Sequence, residues 1–158
     1  MKFDYKQDFK KIDFRKEPEK YRIGVGEQGV LLVEPYKSEI LPFWAFRTPE
    51  IAQQSAQKIY ELYLEYREKR EFVGMDMARK FLEMGFTRSR RYANHPSGKK
   101  YEIKDGKKVI GPQASDALTS DKAKSADIFK KMRDKVIDDP IYQEMRNKHR
   151  ELEKKQAE

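Results

Sequence analysis

Thr48-Pro49-Glu50-Ile51-Ala52-Gln53-Gln54-Ser55-Ala56-Gln57-Lys58-Ile59-Tyr60-Glu61-Leu62-Tyr63-Leu64-Glu65-Tyr66 decides the fold class. Thr48 has a side-chain oxygen suited to an N-cap. Pro49 follows at the first helical position, where its missing N–H does no harm. Apolar and small residues recur at Ile51, Ala52, Ser55, Ala56, Ile59, Leu62, Tyr63 and Tyr66, a helical period kept over about five turns. The spacing predicts a helix to about Glu71, with Lys58, Glu65, Glu68 and Lys69 on its outer face.

Downstream, the pattern predicts a second helix over Met75–Met84, with Met77, Phe81 and Leu82 inward and Gly85 as its stop. Thr87 is expected to cap a short third helix, Arg88–Asn94, before the turn cluster Asn94-His95-Pro96-Ser97-Gly98. Tyr101–Ile110 reads as a hairpin about Asp105-Gly106. After a loop, Ser120 or Asp121 caps a helix to about Val136, and Asp139-Pro140 opens a last one with a thin apolar face of Ile141, Met145 and Leu152.

Upstream, Phe3, Tyr5, Phe9, Ile12 and Phe14 anchor an irregular arm. Val30–Glu34 is expected to be a buried strand closed by Pro35. Pro42 and Pro49 bracket an aromatic connector, Phe43-Trp44-Ala45-Phe46-Arg47. The expected architecture is a single α+β domain, mostly helical, with a small β-hairpin and one or two short strands. The domain with its arm would occupy residues 1–138, and residues 139–158 would form a C-terminal helix, loosely packed or extended.

Composition narrows the chemistry. The 158 residues include no cysteine and only two histidines, His95 and His149. Disulfides, thiolate nucleophiles and cysteine-ligated metals are excluded, no metal site or cofactor is expected, and a cytoplasmic location is compatible. The apolar run Val30-Leu31-Leu32-Val33 falls far short of the ~20 residues that span a bilayer, so no membrane partner is expected. The N-terminus alternates charge with aromatics and shows no apolar export signal.

Charge is unevenly spread. The net charge is +8. Residues 79–108 hold ten cations (Arg79, Lys80, Arg88, Arg90, Arg91, Lys99, Lys100, Lys104, Lys107 and Lys108) against Glu83, Glu102 and Asp105, a net +7. A concentrated basic stretch is the electrostatic footprint of a polyanion binder. The plainer alternative is a solvated face, or arginines paired with acids elsewhere in the fold. If Thr87 caps a helix, Arg88, Arg90 and Arg91 crowd its positive end, an unfavourable placement that a bound anion would reverse. Tyr92, His95 and Tyr101 interleave with the cations and offer rings for stacking, or for ordinary packing. The candidate phosphate or nucleic-acid contacts are therefore Arg79, Lys80, Arg88, Arg90, Arg91, Tyr92, His95, Lys99 and Lys100.

Other motifs carry less. Gly24-x-Gly26-x-x-Gly29 has the letters of a dinucleotide loop, but leads into an apolar run instead of a helix, and reads as a tight turn. Glu27, Asp76, Lys37 and His95 are the raw material for catalysis, with no diagnostic spacing among them. His95 in Asn-His-Pro reads as a turn residue.

Four strings, Gly26-Glu27-Gln28-Gly29-Val30-Leu31, Pro35-Tyr36-Lys37-Ser38-Glu39-Ile40-Leu41-Pro42, Phe72-Val73-Gly74-Met75-Asp76-Met77-Ala78-Arg79-Lys80-Phe81-Leu82 and Met84-Gly85-Phe86-Thr87-Arg88-Ser89-Arg90-Arg91-Tyr92-Ala93-Asn94-His95, carry a family resemblance. Over roughly residues 3 to 142 the chain resembles the domain-of-unknown-function family numbered 4385. The resemblance implies a phage or bacterial origin, with the host cytoplasm as location, and no reaction. The leading functional expectation is a non-enzymatic binder of nucleic acid or another phosphate-rich ligand. Alternatives are a module that binds a host or phage protein, and a small enzyme acting on a phosphorylated metabolite.

Overall fold

A computed structural model describes residues 2–157. Five helices and one two-stranded antiparallel hairpin make up its regular structure: α1 (Tyr36–Ile40), α2 (Pro49–Glu68), α3 (Phe72–Asn94), β1 (Tyr101–Lys104), β2 (Lys107–Ile110), α4 (Asp121–Ile137) and α5 (Pro140–Ala157). With 57% of residues helical, the protein is a mostly helical α+β domain, as its periodicities imply.

Helix α2 begins as its sequence dictates. Thr48 Oγ1 accepts from the Ile51 N–H at 3.2 Å, and Pro49 fills the first helical position. Ala52, Ser55, Ala56, Ile59, Tyr63 and Tyr66 form the buried stripe. Helix α2 ends where Arg70 turns left-handed (φ 57°) and the Glu71 N–H reaches back to the Tyr66 carbonyl at 2.9 Å. Glycine normally takes that position, because a Cβ costs about 1–2 kcal/mol there.

Helix α3 corrects the sequence reading. It runs unbroken from Phe72 to Asn94, so Gly85 stops nothing and Thr87 caps nothing. Thr87 Oγ1 instead bonds the Met84 carbonyl within the helix and the Glu27 carboxylate across it. The absent side chain at Gly85 serves packing: a methyl group there would overlap the Phe129 ring of α4. Helix α3 thereby lies against α4 and is the most buried element of the domain, closed on 72–82 without an exposed residue.

The expected strand at Val30–Glu34 is absent. The segment is a run of turns, with Val30 N–H on the Glu27 carbonyl and Leu32 N–H on the Gly29 carbonyl. It has no neighbouring strand with which to form a ladder, and a buried apolar run of this length does not distinguish strand from turn. Val30 and Val33, three residues apart, still enter the core. No strand outside the hairpin occurs among the described residues. Ser120 caps α4 through the Ala123 N–H at 3.2 Å, and the hairpin pairs Lys104 with Lys107 about Asp105-Gly106.

Helix α5, expected to be loose or extended, buries Tyr142, His149 and Glu153 against the arm and α3. Its thin apolar stripe misses these contacts because they are polar. His149 Nε2 donates to the Tyr21 carbonyl at 2.7 Å, and Glu153 accepts from the Ile23 N–H at 2.8 Å.

Two substitutions test this account by urea titration. Gly85→Ala is expected to lower stability by about 1–3 kcal/mol through overpacking, although alanine is the better helix former by about 1 kcal/mol. Arg70→Gly is expected to raise stability by about 1 kcal/mol by relieving the left-handed residue. A midpoint raised by the first or lowered by the second would contradict the packing and the turn.

Candidate nucleic-acid interface

The nine candidate residues separate into two groups with opposite surroundings. Arg79 and Lys80 lie inside the domain. Both terminal and inner nitrogens of Arg79 hold Asp76 Oδ1, at 2.9 and 3.0 Å, and a further nitrogen holds the Gly26 carbonyl. Lys80 Nζ donates to the Gln28 carbonyl at 2.6 Å and lies 4.8–5.1 Å from the Tyr21 and Phe3 ring centres. Arg150 adds a bond to the Gly24 carbonyl at 3.0 Å. Three cations thus grip carbonyl oxygens of the glycine turn. The turn presents acceptors to the cations and cradles no anion.

Asp76 is the counter-charge of this network. Tyr21 donates to its Oδ2, and Tyr142 donates to its Oδ1 at 2.6 Å. Burial by itself would raise the carboxyl's pKa, but Arg79, Lys80 and the two hydroxyls outweigh it and hold the group well below the usual range. Asp76 and Arg79 stand three residues apart on a stripe that is otherwise apolar (Met75, Met77, Ala78), the one trace of the pair in the sequence. Arg79 and Lys80 are accordingly removed from the exterior patch, because both are buried and held by Asp76 and the glycine turn.

The second group lies at the other end of α3. Arg88, Arg90 and Arg91 occupy its last two turns. There the helix dipole is negative and cations are favoured, so the placement breaks no local rule. The tension expected from a helix start at Thr87 does not exist. Arg88 and Arg91, one turn apart, are exposed, as are Lys99 and Lys100. Arg90 Nη1 donates to the Ala117 carbonyl at 2.6 Å and pins the loop before α4. His95 is buried as the C-cap, its N–H on the Arg91 carbonyl at 2.8 Å. Tyr92 packs on Phe46 with ring centres 6.0 Å apart and contacts Gly98, and remains 38% exposed.

The hairpin extends this surface. Every residue of Tyr101–Ile110 except Val109 is exposed. Its register places Tyr101, Ile103, Lys108 and Ile110 on one face and Glu102, Lys104, Lys107 and Val109 on the other. Lys108 Nζ sits 4.4 Å from the Tyr101 ring centre. Between hairpin base and helix, Arg90, Arg91, Asn94, His95, Lys100 and Gln113 help to line an open cleft of about 400 Å³ with no acidic side chain in its walls. From Arg88 to Lys108 eight cations face two acids, a net +6. Among the described residues only Lys104 of these eight makes an ion pair, a long one of 3.9 Å with Glu102. Lys104, Lys107 and Lys108, part of the basic stretch in the sequence, are exposed on the same surface.

Fold and surface define a small helical α+β domain from which a basic hairpin projects. None of the described helices is long and apolar enough to cross a membrane. The chain belongs to the family described as Domain of unknown function (DUF4385), whose sequence model matches residues 4–152. No curated protein and no solved structure matches it significantly.

Burial pushes the Lys80 ammonium down to about 7, with Asp76 pulling the other way. The native state then binds fewer protons than the unfolded chain between that value and the ordinary lysine range. Stability contributed by this site rises as pH climbs through the interval and is lost as pH falls back across it, the loss being complete near pH 7. Lys80→Met is expected to flatten the pH dependence of the urea midpoint between about pH 7 and pH 9. Parallel profiles for the two proteins would show that Lys80 stays charged.

Proposed function

We propose that the protein is a non-enzymatic cytoplasmic binder of nucleic acid, acting through the end of α3 and the β-hairpin. One observation carries this reading. Arg88, Arg91, Lys99, Lys100, Lys107 and Lys108 are exposed on one continuous segment, and none makes an ion pair among the described residues. The plainer account of a basic run, local neutralisation, holds for Arg79 and, through one long pair, for Lys104, and for none of these six. Unpaired guanidinium and ammonium groups over ten residues or more match the spaced phosphates of a strand better than a single anion. Contacts of this kind position a backbone and discriminate little among sequences. Tyr101, 45% exposed and flanked by Lys100 and Lys108, is the ring best placed to stack.

A second reading has its own observation. Ile103 is 81% and Ile110 64% exposed on the same hairpin face, which suits an acidic protein partner with an apolar spot. The enzyme reading has none. The cleft beside the arginines is lined by neither Glu27, Lys37 nor any residue of the glycine turn, so His95 stands in its wall without the partners that reading needs.

Fluorescence anisotropy with labelled single- and double-stranded oligonucleotides at stepped salt tests the proposal. Affinity is expected to fall log-linearly with salt, and the Arg88→Ala/Arg91→Ala pair to reduce the slope by about two. Ile103→Ser is expected to leave binding nearly intact. Salt-indifferent binding, or an unchanged slope in the double variant, would overturn it. Loss of binding in Ile103→Ser alone would favour the protein-partner reading.

A further inference from the structure

A second cationic cleft lies away from the hairpin and shares no residue with the one beside the arginine run. Its floor includes Arg79, whose side chain is 9% exposed. Nε and Nη2 of Arg79 bond Asp76, Nε also approaches the Tyr142 hydroxyl at 3.2 Å, and Nη1 bonds the Gly26 carbonyl. A guanidinium carries five N–H groups. One N–H on each terminal nitrogen of Arg79 therefore has no acceptor among the described residues. The opposite wall is helix α5, with Gln143, Arg146 and Asn147 turned to the same space of about 450 Å³. Arg146 is half-buried and has neither an ion pair nor a hydrogen bond among the described residues. No carboxylate lines the space. The nearest acid in the network, Asp76, has both oxygens engaged by Tyr21, Tyr142 and Arg79.

We propose that this cleft binds the phosphate group of a small phosphomonoester, held between Arg79 and Arg146 with Gln143 and Asn147 as neutral donors. Two guanidinium forks suit the bidentate geometry of a tetrahedral dianion. Arg79 is already fixed by Asp76 and Gly26, so little side-chain freedom is lost when the ligand enters. The volume lies in the range of small-molecule sites and leaves room beyond the phosphate for a group of sugar or nucleoside size. The site is independent of the nucleic-acid surface: it is concave, sits between α3 and α5, and takes a terminal phosphate where the hairpin surface takes a chain of them.

Calorimetric titration of the full chain with adenosine monophosphate, and separately with inorganic phosphate, tests the assignment. Saturable one-to-one binding of the monophosphate is expected, with weaker binding of phosphate alone. Arg146→Met is expected to weaken it at least about tenfold. Arg146→Lys, which keeps the charge and loses the fork, should fall between. The Arg88→Ala/Arg91→Ala protein should bind as the unaltered chain does. Arg146 makes no hydrogen bond or ion pair among the described residues, so matching circular dichroism spectra are expected for its variants; if Met disturbs the fold, the Lys variant alone decides. Absence of saturable binding, equal affinity in the Arg146 variants, or loss in the Arg88/Arg91 protein would overturn the proposal.

Discussion

The structure depends on the buried carboxylate of Asp76. Asp76 accepts from Tyr21 of the N-terminal arm, from Arg79 of its own helix and from Tyr142 of α5. A charge in that position is tolerable only with every partner present, since the effective cost of stripping water from an unpaired ion is several kcal/mol. Asp76 therefore acts as a specificity device: it accepts one arrangement of arm, central helix and terminal helix, and penalises slipped alternatives. Lys80 and Arg150 extend the same constraint to the glycine turn by holding the Gln28 and Gly24 carbonyls.

The basic residues consequently divide by task. Those at the start and middle of α3 neutralise, bridge and fix backbone, and are buried. Apart from Arg90, which holds the Ala117 carbonyl, and Lys104, with its long pair to Glu102, those at its end and on the hairpin have no such duty. They sit where the dipole of α3 favours them and where the chain leaves the core, so holding them unpaired costs the fold little. The local net of +6 is thus carried by a part of the molecule whose removal would leave the Asp76 network intact.

Local signals were read well and long-range ones were not. Thr48-Pro49, Ser120, Asp139-Pro140 and Asp105-Gly106 each fix an element boundary through chemistry contained in a few residues, and each lies where the sequence puts it. Gly85 misled because the conformational freedom of glycine and its lack of a side chain leave the same letter in the sequence. Only the Phe129 ring across the helix pair distinguishes them. That error split α3, and the split placed the arginines at the wrong end of a dipole. The burial of Arg79 and Lys80 was illegible for a related reason, since their partners include residues 21, 26, 28 and 142. The exterior half of the candidate site was legible because Arg88, Arg91, Lys99 and Lys100 act through exposure and charge alone, which need no distant partner.

The engagement of Tyr142, His149 and Glu153 by the arm and α3 has a bearing on biosynthesis. A ribosome delivers the arm and central helix well before the residues of α5 that clasp them. Until the final helix clears the exit tunnel, the nascent polypeptide holds an ionic centre that water must keep solvated, which opposes premature collapse. Emergence of α5, not of the central helix alone, is then the event that commits the polypeptide to its native form.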